Sequence, residues 1–297
     1  MSPLAAPSPS PTRPAGSSTE PPGPGPRAEP PARFGDLVAA EWIKMWSLRS
    51  TPWALALVTL FTVGSSWVVS MADRSRLAGL DPGELRDGGF LFFDAYPMAG
   101  WLTLMLVAGC VGGLAVVSEY GSGLIRTTTV AVPARGSVLL AKAAVVAAVW
   151  TVVGAVISIG SFAVSQAALS GCHADVAIGH PGVPRAVLAS ALLAPVCALI
   201  GLGLGALVRH GAGATATTMF VLLLLPPFFS TSRHWSADIN HAMVASAWKR
   251  LIQGWSPPPG SGSGFQDPTV AGSWTVLALW PLAAVLLGLV AVRRRDV

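Results

Sequence analysis

Charge is scarce in this chain. Only 11% of its 297 residues are Asp, Glu, Lys or Arg, against about 25% in an ordinary soluble domain. So few charges cannot cover a water-soluble surface of this size. That excludes a soluble enzyme or soluble binding domain and turns most of the surface toward lipid. The 52% share of hydrophobic types agrees. Cysteine is nearly as rare. Cys110, Cys172 and Cys197 are scattered, two of them inside apolar runs, which excludes a disulfide framework and a zinc pattern. Cys172 is expected in an outer loop, where a free thiol and an intermolecular disulfide both fit.

Other absences narrow the chemistry. No Gly-x-x-x-x-Gly-Lys-Ser/Thr run occurs, and not even the dipeptide Gly-Lys, so the chain carries no P-loop for ATP. Any ATP-driven work needs a separate subunit. The long apolar runs contain no Asp, Glu, Lys or Arg. Ion-coupled carriers generally hold such groups at mid-membrane, so their absence argues against ion-coupled transport. All five histidines (His173, His180, His210, His234 and His241) fall in loops or at run ends. Neither Cys172, His173 and His180 nor His234 and His241 match a metal-site spacing, and they read as solvated side chains. No nucleophile–base pair or paired carboxylates share one depth. No catalytic residue, cofactor or metal site is therefore expected. The net charge of +5 reads as topogenic charge beside membrane spans rather than as a nucleic-acid footprint.

What is present falls into two parts. Residues 1–33 form a tail rich in Pro, Ser, Gly and Ala; residues 1–32 hold 11 of the 25 prolines. Such a segment cannot bury enough apolar surface to order itself, and it lacks the apolar centre of a signal peptide. It is read as a disordered cytoplasmic extension. Residues 34–297 form a membrane domain. Six apolar runs, at about 52–70, 99–117, 143–165, 186–208, 212–229 and 273–292, have roughly the 18–25 residues needed to cross hydrocarbon. The fifth is the weakest, with Gly213 and Pro226-Pro227 crowding its ends. The expected fold class is an all-α polytopic membrane protein with six transmembrane helices.

Ahead of the first run, Phe34, Leu37, Val38, Trp42, Met45 and Trp46 recur at helical spacing. Asp36, Glu41, Lys44 and Ser47 lie largely toward the other side. Trp42, Trp46 and Trp53 suit the half-wet headgroup layer. The segment reads as an interfacial helix or as an extended start of the first span. With the N-terminus inside, the inner segments hold 12 of the 19 basic residues. Arg293-Arg294-Arg295 then stops the last span on the inner face, so both termini are expected in the cytoplasm. Between the fifth and last runs, Ile239, Met243, Ala247, Trp248, Leu251 and Ile252 follow Ser236 at helical spacing. They predict one amphipathic helix on the outer surface, capped by Ser236. Gly201, Gly203 and Gly205 in the fourth run, and Gly154, Ser158, Gly160 and Ser161 in the third, suit close helix packing or a substrate lining.

The inner loop at 118–142 is too long for a tight hairpin and too polar for lipid. It is either an ordinary basic loop or a short rigid element that receives force. Its pattern is Glu119-x-Gly121-x-Gly123-x-Ile125-Arg126-Thr127, then Pro133-x-Arg135 and Lys142. Placed between the second and third of six spans, this resembles the permease subunits of type-2 ABC exporters. The opening segment, with Glu41, Trp42, Lys44, Trp46 and Arg49, resembles the elbow helix of that family. The resemblance covers about residues 34–297. It implies a half-transporter in a bacterial plasma membrane, paired with a second permease subunit and driven by separate P-loop ATPase subunits. The loop at 119–135 would be the coupling helix, with Glu119 at its membrane edge and Arg126 and Arg135 facing the ATPase or lipid headgroups. An uncharged path would suit an apolar or amphiphilic cargo. An ATP-independent carrier or channel, and a membrane anchor or sensor partner, are the alternatives.

Overall fold

The computed structural model describes residues 33–47, 49–77, 92–121, 135–172, 175–229, 233–253 and 268–294. All regular structure among them is helical. The N-terminal tail and the loop core at 122–134 lie outside the described residues. Helix α1 spans Phe34–Ser47, α2 Ser50–Leu77, α3 Phe92–Ala95, α4 Met98–Gly121 and α5 Arg135–Leu169. Helix α6 spans Val183–Val208, α7 Gly211–Met219, α8 His234–His241, α9 Val244–Ile252 and α10 Val270–Arg294.

Five helices (α2, α4, α5, α6 and α10) are long and apolar enough to cross a bilayer. They fit a multi-pass helical membrane protein. Each overruns its apolar run; α5 has 35 residues. The fifth apolar run behaves differently. It gives nine α-helical residues in α7, then a five-residue π turn at Phe220–Leu224, and a 3₁₀ turn at Pro226–Phe228. Pro226 and Pro227 lack the N–H groups that would continue the ladder, so this helix is shorter than the other five.

Contacts sort the helix termini into two ends. At the first end, Lys44 of α1 bonds Glu119 of α4, Lys142 of α5 bonds both Glu41 and Glu119, and Arg209 after α6 reaches Ala291 of α10. At the second end, Leu77 and Leu169 bury each other, and Arg185 of α6 donates to the carbonyls of Leu251 and Gln253. The shorter α7 segment carries the chain from the first end back to the second.

Helix α6 is the axis of the bundle. Two-thirds of its central window is buried (67%), against 28% for α2 and for α10. Glycine makes this possible. A Cβ on Gly201 would lie 1.8 Å from the Gly109 carbonyl oxygen, and one on Gly205 2.6 Å from that of Gly113. Both face α4. Gly203, between them, faces α10, where a Cβ would lie 2.3 Å from the Ala284 oxygen. Backbone therefore meets backbone on two sides of one helix. A Cβ on Gly154 of α5 would likewise run into the Ala191 carbonyl oxygen of α6. These glycines serve helix packing within the chain.

Helix α2 uses hydroxyls instead. Thr62, Ser66 and Ser70 are fully buried at helical spacing. They donate to the carbonyls of Gly100, Ala95 and Asp94 at 3.3, 2.8 and 3.2 Å. Ser70 also bonds Ser165 of α5 at 2.9 Å. In a bilayer such hydroxyls join helices that share no hydrophobic driving force.

The expected amphipathic helix near the second end is corrected in two respects. It is broken at Ala242–Met243 into α8 and α9, and α8 is capped by Arg233 rather than Ser236. Helix α9 is amphipathic, with one face packed on the bundle and Lys249 exposed on the other. Val244, Ala245, Ala247, Trp248, Leu251 and Ile252 are all buried. Trp248 stacks on Trp101 of α4 with centroids 5.5 Å apart, and its Nε1 donates to Ser190 Oγ of α6 at 3.1 Å. Tyr96 meets Trp101 edge-on at 5.3 Å. Burial raises the Tyr96 phenol's pKa, so it stays protonated.

Candidate functional site

The densest polar cluster lies at the first end. Helix α1 packs along α5 and turns Leu37, Val38 and Met45 toward the bundle. Trp42, Ile43 and Trp46 point outward, 46%, 68% and 45% exposed. Trp42 and Trp46 touch at 5.8 Å. Glu41 lies on the inward side and is buried. Periodicity alone puts it on the wet side of the helix; its partners explain the difference.

Four charged groups close a ring. Lys44 Nζ donates to Glu41 Oε1 at 2.7 Å and to Glu119 Oε1 at 3.0 Å. Lys142 Nζ donates to Glu41 Oε2, and to Glu119 Oε1 at 3.0 Å. Two carboxylates and two ammonium groups sum to zero charge, which lets them share a site at the edge of the bundle. Side-chain exposure is 5% for Glu41, 8% for Lys142 and 13% for Glu119, but 39% for Lys44. Lys44 is thus the wet corner. Burial works to lower its pKa, but the hydrogen bonds and attraction from Glu41 and Glu119 outweigh burial, and the net shift is upward. The ring joins three elements: α1, the last turn of α4 and the second turn of α5.

A second tie lies beside it. Arg209 caps α6 with φ 58°, a left-handed conformation that costs a non-glycine residue about 1–2 kcal/mol. Three contacts hold it there. Its N–H bonds the Gly205 carbonyl, its Nη2 donates to the Ala291 carbonyl at 3.3 Å, and its guanidinium lies 5.1 Å from the ring centre of Tyr120. Tyr120 neighbours Glu119, so the ring and the arginine clamp meet on the same turn of α4.

The structure brings together Glu41, Lys44 and Glu119 of the sequence-derived candidates. Gly121 closes α4 and Arg135 opens α5. Gly123, Ile125, Arg126, Thr127 and Pro133 lie outside the described residues. Arg49 is exposed between α1 and α2. Lys142 is the centre that sequence reasoning undervalues, since the loop pattern makes it only a lead into the third span. The signal in the sequence is a lone lysine at the mouth of an apolar run, 23 residues after a lone glutamate.

Among the described residues no group of three or more His, Cys, Asp or Glu is placed to hold a metal. The three cysteines are unbridged, and Cys172 Sγ donates to the Leu169 carbonyl. The buried ion pairs and the cation–π clamp tie α1, α4, α5, α6 and α10 together at this end. No protein-family model and no curated protein matches this chain.

Proposed function

We propose that the chain is the membrane-spanning permease subunit of an ATP-binding cassette exporter, working with a separate P-loop ATPase. The observation that carries this reading is the ring of Glu41, Lys44, Glu119 and Lys142. It ties the amphipathic α1 to both helices that flank the segment at 122–134. A force applied to that segment would move α1, α4 and α5 together. This is what a subunit driven from below by a soluble motor requires, and it suits the elbow and coupling roles that the loop pattern suggests. In this reading α7 makes a sixth crossing, and the first end, rich in Lys and Arg, faces the cytoplasm of a bacterial plasma membrane. A second permease subunit completes the path.

The test is a mild-detergent pull-down of the tagged chain from native membranes, with mass spectrometry of what co-purifies. A stoichiometric P-loop ATPase, lost when Glu119 and Arg126 are both replaced by alanine, is the expected result. A preparation without ATPase, under conditions that preserve a control complex, would sink the reading and favour an ATP-independent carrier or a membrane anchor.

A further inference from the structure

At the second end, α9 has a sharply divided surface. Its six buried residues face the bundle. Its polar residues Ser246, Lys249 and Arg250, with Gln253 just past its C-terminus, line a cleft of about 320 Å³ closed opposite by Pro227 and Phe229 of the chain after α7. That volume is at the low end for small-molecule pockets, about 300–1,000 Å³. It fits a polar headgroup rather than a whole lipid.

The walls are fixed by hydrogen bonds. Asn240 Nδ2 donates to the carbonyls of Pro226 and Phe229 at 3.0 and 2.9 Å, and Ser246 Oγ donates to Asn240 Oδ1 at 2.8 Å. Arg250 Nε donates to the Pro268 carbonyl at 2.7 Å. These bonds occupy Asn240, Ser246 and one edge of the Arg250 guanidinium. The Lys249 ammonium has no hydrogen-bond or ion-pair partner among the described residues, and no acid lines the cleft. Among the described residues, two cations thus face a preformed hollow without a counter-charge.

An apolar surface leads away from the hollow. Phe228, next to the Pro227 and Phe229 wall, is 74% exposed, and Leu224 and Phe220 on the same segment are 45% and 46% exposed. A cationic head site joined to an exposed apolar strip matches an anionic amphiphile. A free anion would need only the head site. We propose that this cleft binds the phosphate headgroup of an anionic phospholipid in the leaflet at the second end, with its acyl chains along Phe228, Leu224 and Phe220. The proposal goes beyond the transport reading and requires only that the chain lie in a bilayer.

The full-length protein in phosphatidylcholine nanodiscs would be photolabelled with a diazirine-bearing phosphatidylglycerol or its phosphatidylcholine counterpart, and the adducts mapped by peptide mass spectrometry. The expected result is phosphatidylglycerol adducts concentrated in α9 and residues 224–229. Lys249→Glu would cut that labelling at least about fivefold, from the weight of one basic side chain at an anionic surface, and Lys249→Arg would retain it. Lys249 is exposed, so an unchanged unfolding temperature would confirm that Lys249→Glu still folds; should it not, Lys249→Gln gives the same comparison. Equal labelling by the two headgroups, or labelling indifferent to Lys249→Glu, would overturn the proposal. Loss of labelling in excess inorganic phosphate would instead reveal a free-anion site and overturn the lipid assignment.

Discussion

Lys142 and Lys44 bond the same two carboxylates, but the Lys142 side chain is 8% exposed and that of Lys44 39%. Removing Lys142 leaves Glu41 buried beside a single wet partner, and breaking a buried pair from one side costs about 3–5 kcal/mol. Lys44→Ala removes a contact that water already screens, worth about 0.2–1 kcal/mol. Thermal unfolding in detergent should therefore show a large drop for Lys142→Ala and a small one for Lys44→Ala. The pH dependence follows from the raised pKa of Lys44. A base whose pKa is higher in the folded state stabilises below its ordinary value, 10.5, and loses that contribution as pH rises through the folded value. The advantage of the parent protein over Lys44→Ala should hold through neutral pH and fade only above the ordinary lysine range. An advantage that vanished near pH 7 would contradict the ring as described. At this scale the sequence shows that Glu119 and Lys142 flank one loop. It does not show Glu41 turned inward, because helical periodicity treats a carboxylate as wet until its partner is known, and that partner lies 101 residues on.

Among whole elements, α6 is held most tightly and α9 is the hardest to foresee. Gly201→Leu drives a side chain into the backbone of α4 at a contact with no space for a Cβ. A loss of several kcal/mol, or no folded protein, should appear in unfolding or size-exclusion measurements. A Cβ on Gly64 of α2 would meet nothing within 4 Å. Gly64→Ala should be neutral or stabilise by up to about 1 kcal/mol through helix propensity. Equal behaviour of the two variants would show that α4 and α6 do not touch as described. The glycine pattern of α6 is legible as packing or as a path, and neighbouring backbone decides between them. The split between α8 and α9 is not legible. His241, Ala242 and Met243 include no breaker, and the hydrophobic period runs unbroken across them. The break comes from tertiary contacts: Trp248 on Trp101 and Ser190, and Arg185 on the C-terminal carbonyls of α9.

For the molecule as a whole, the topology turns on α7. Single cysteines at Gly35, at Arg294 or at position 172, each in a chain whose other cysteines are replaced, can be labelled from either side of a sealed vesicle with an impermeant maleimide. Six crossings put the Gly35 and Arg294 positions on one side and Cys172 on the other. If α7 does not cross, Gly35 and Arg294 label from opposite sides. Five of the six apolar runs are legible as long helices, because an uncharged stretch of that length has few other folds open to it. The fifth falls short because two prolines and a π turn cut its ladder, an effect of local backbone chemistry that a count of apolar residues does not register.

The ring at the first end also sets an order on biosynthesis. Glu41 leaves the ribosome 101 residues before Lys142, an interval of about 5–20 s at about 5–20 residues per second. Through that interval the buried Glu41 carboxylate has only Lys44, and within the ring α1 is tied to the body only by the Lys44–Glu119 pair once α4 is made. Closure of the ring must wait until Lys142 of α5 follows. The ring therefore marks the moment at which the N-terminal half of the chain becomes one assembled unit, and a nascent chain arrested before Lys142 should expose Glu41 to carboxyl-directed reagents that the finished protein excludes.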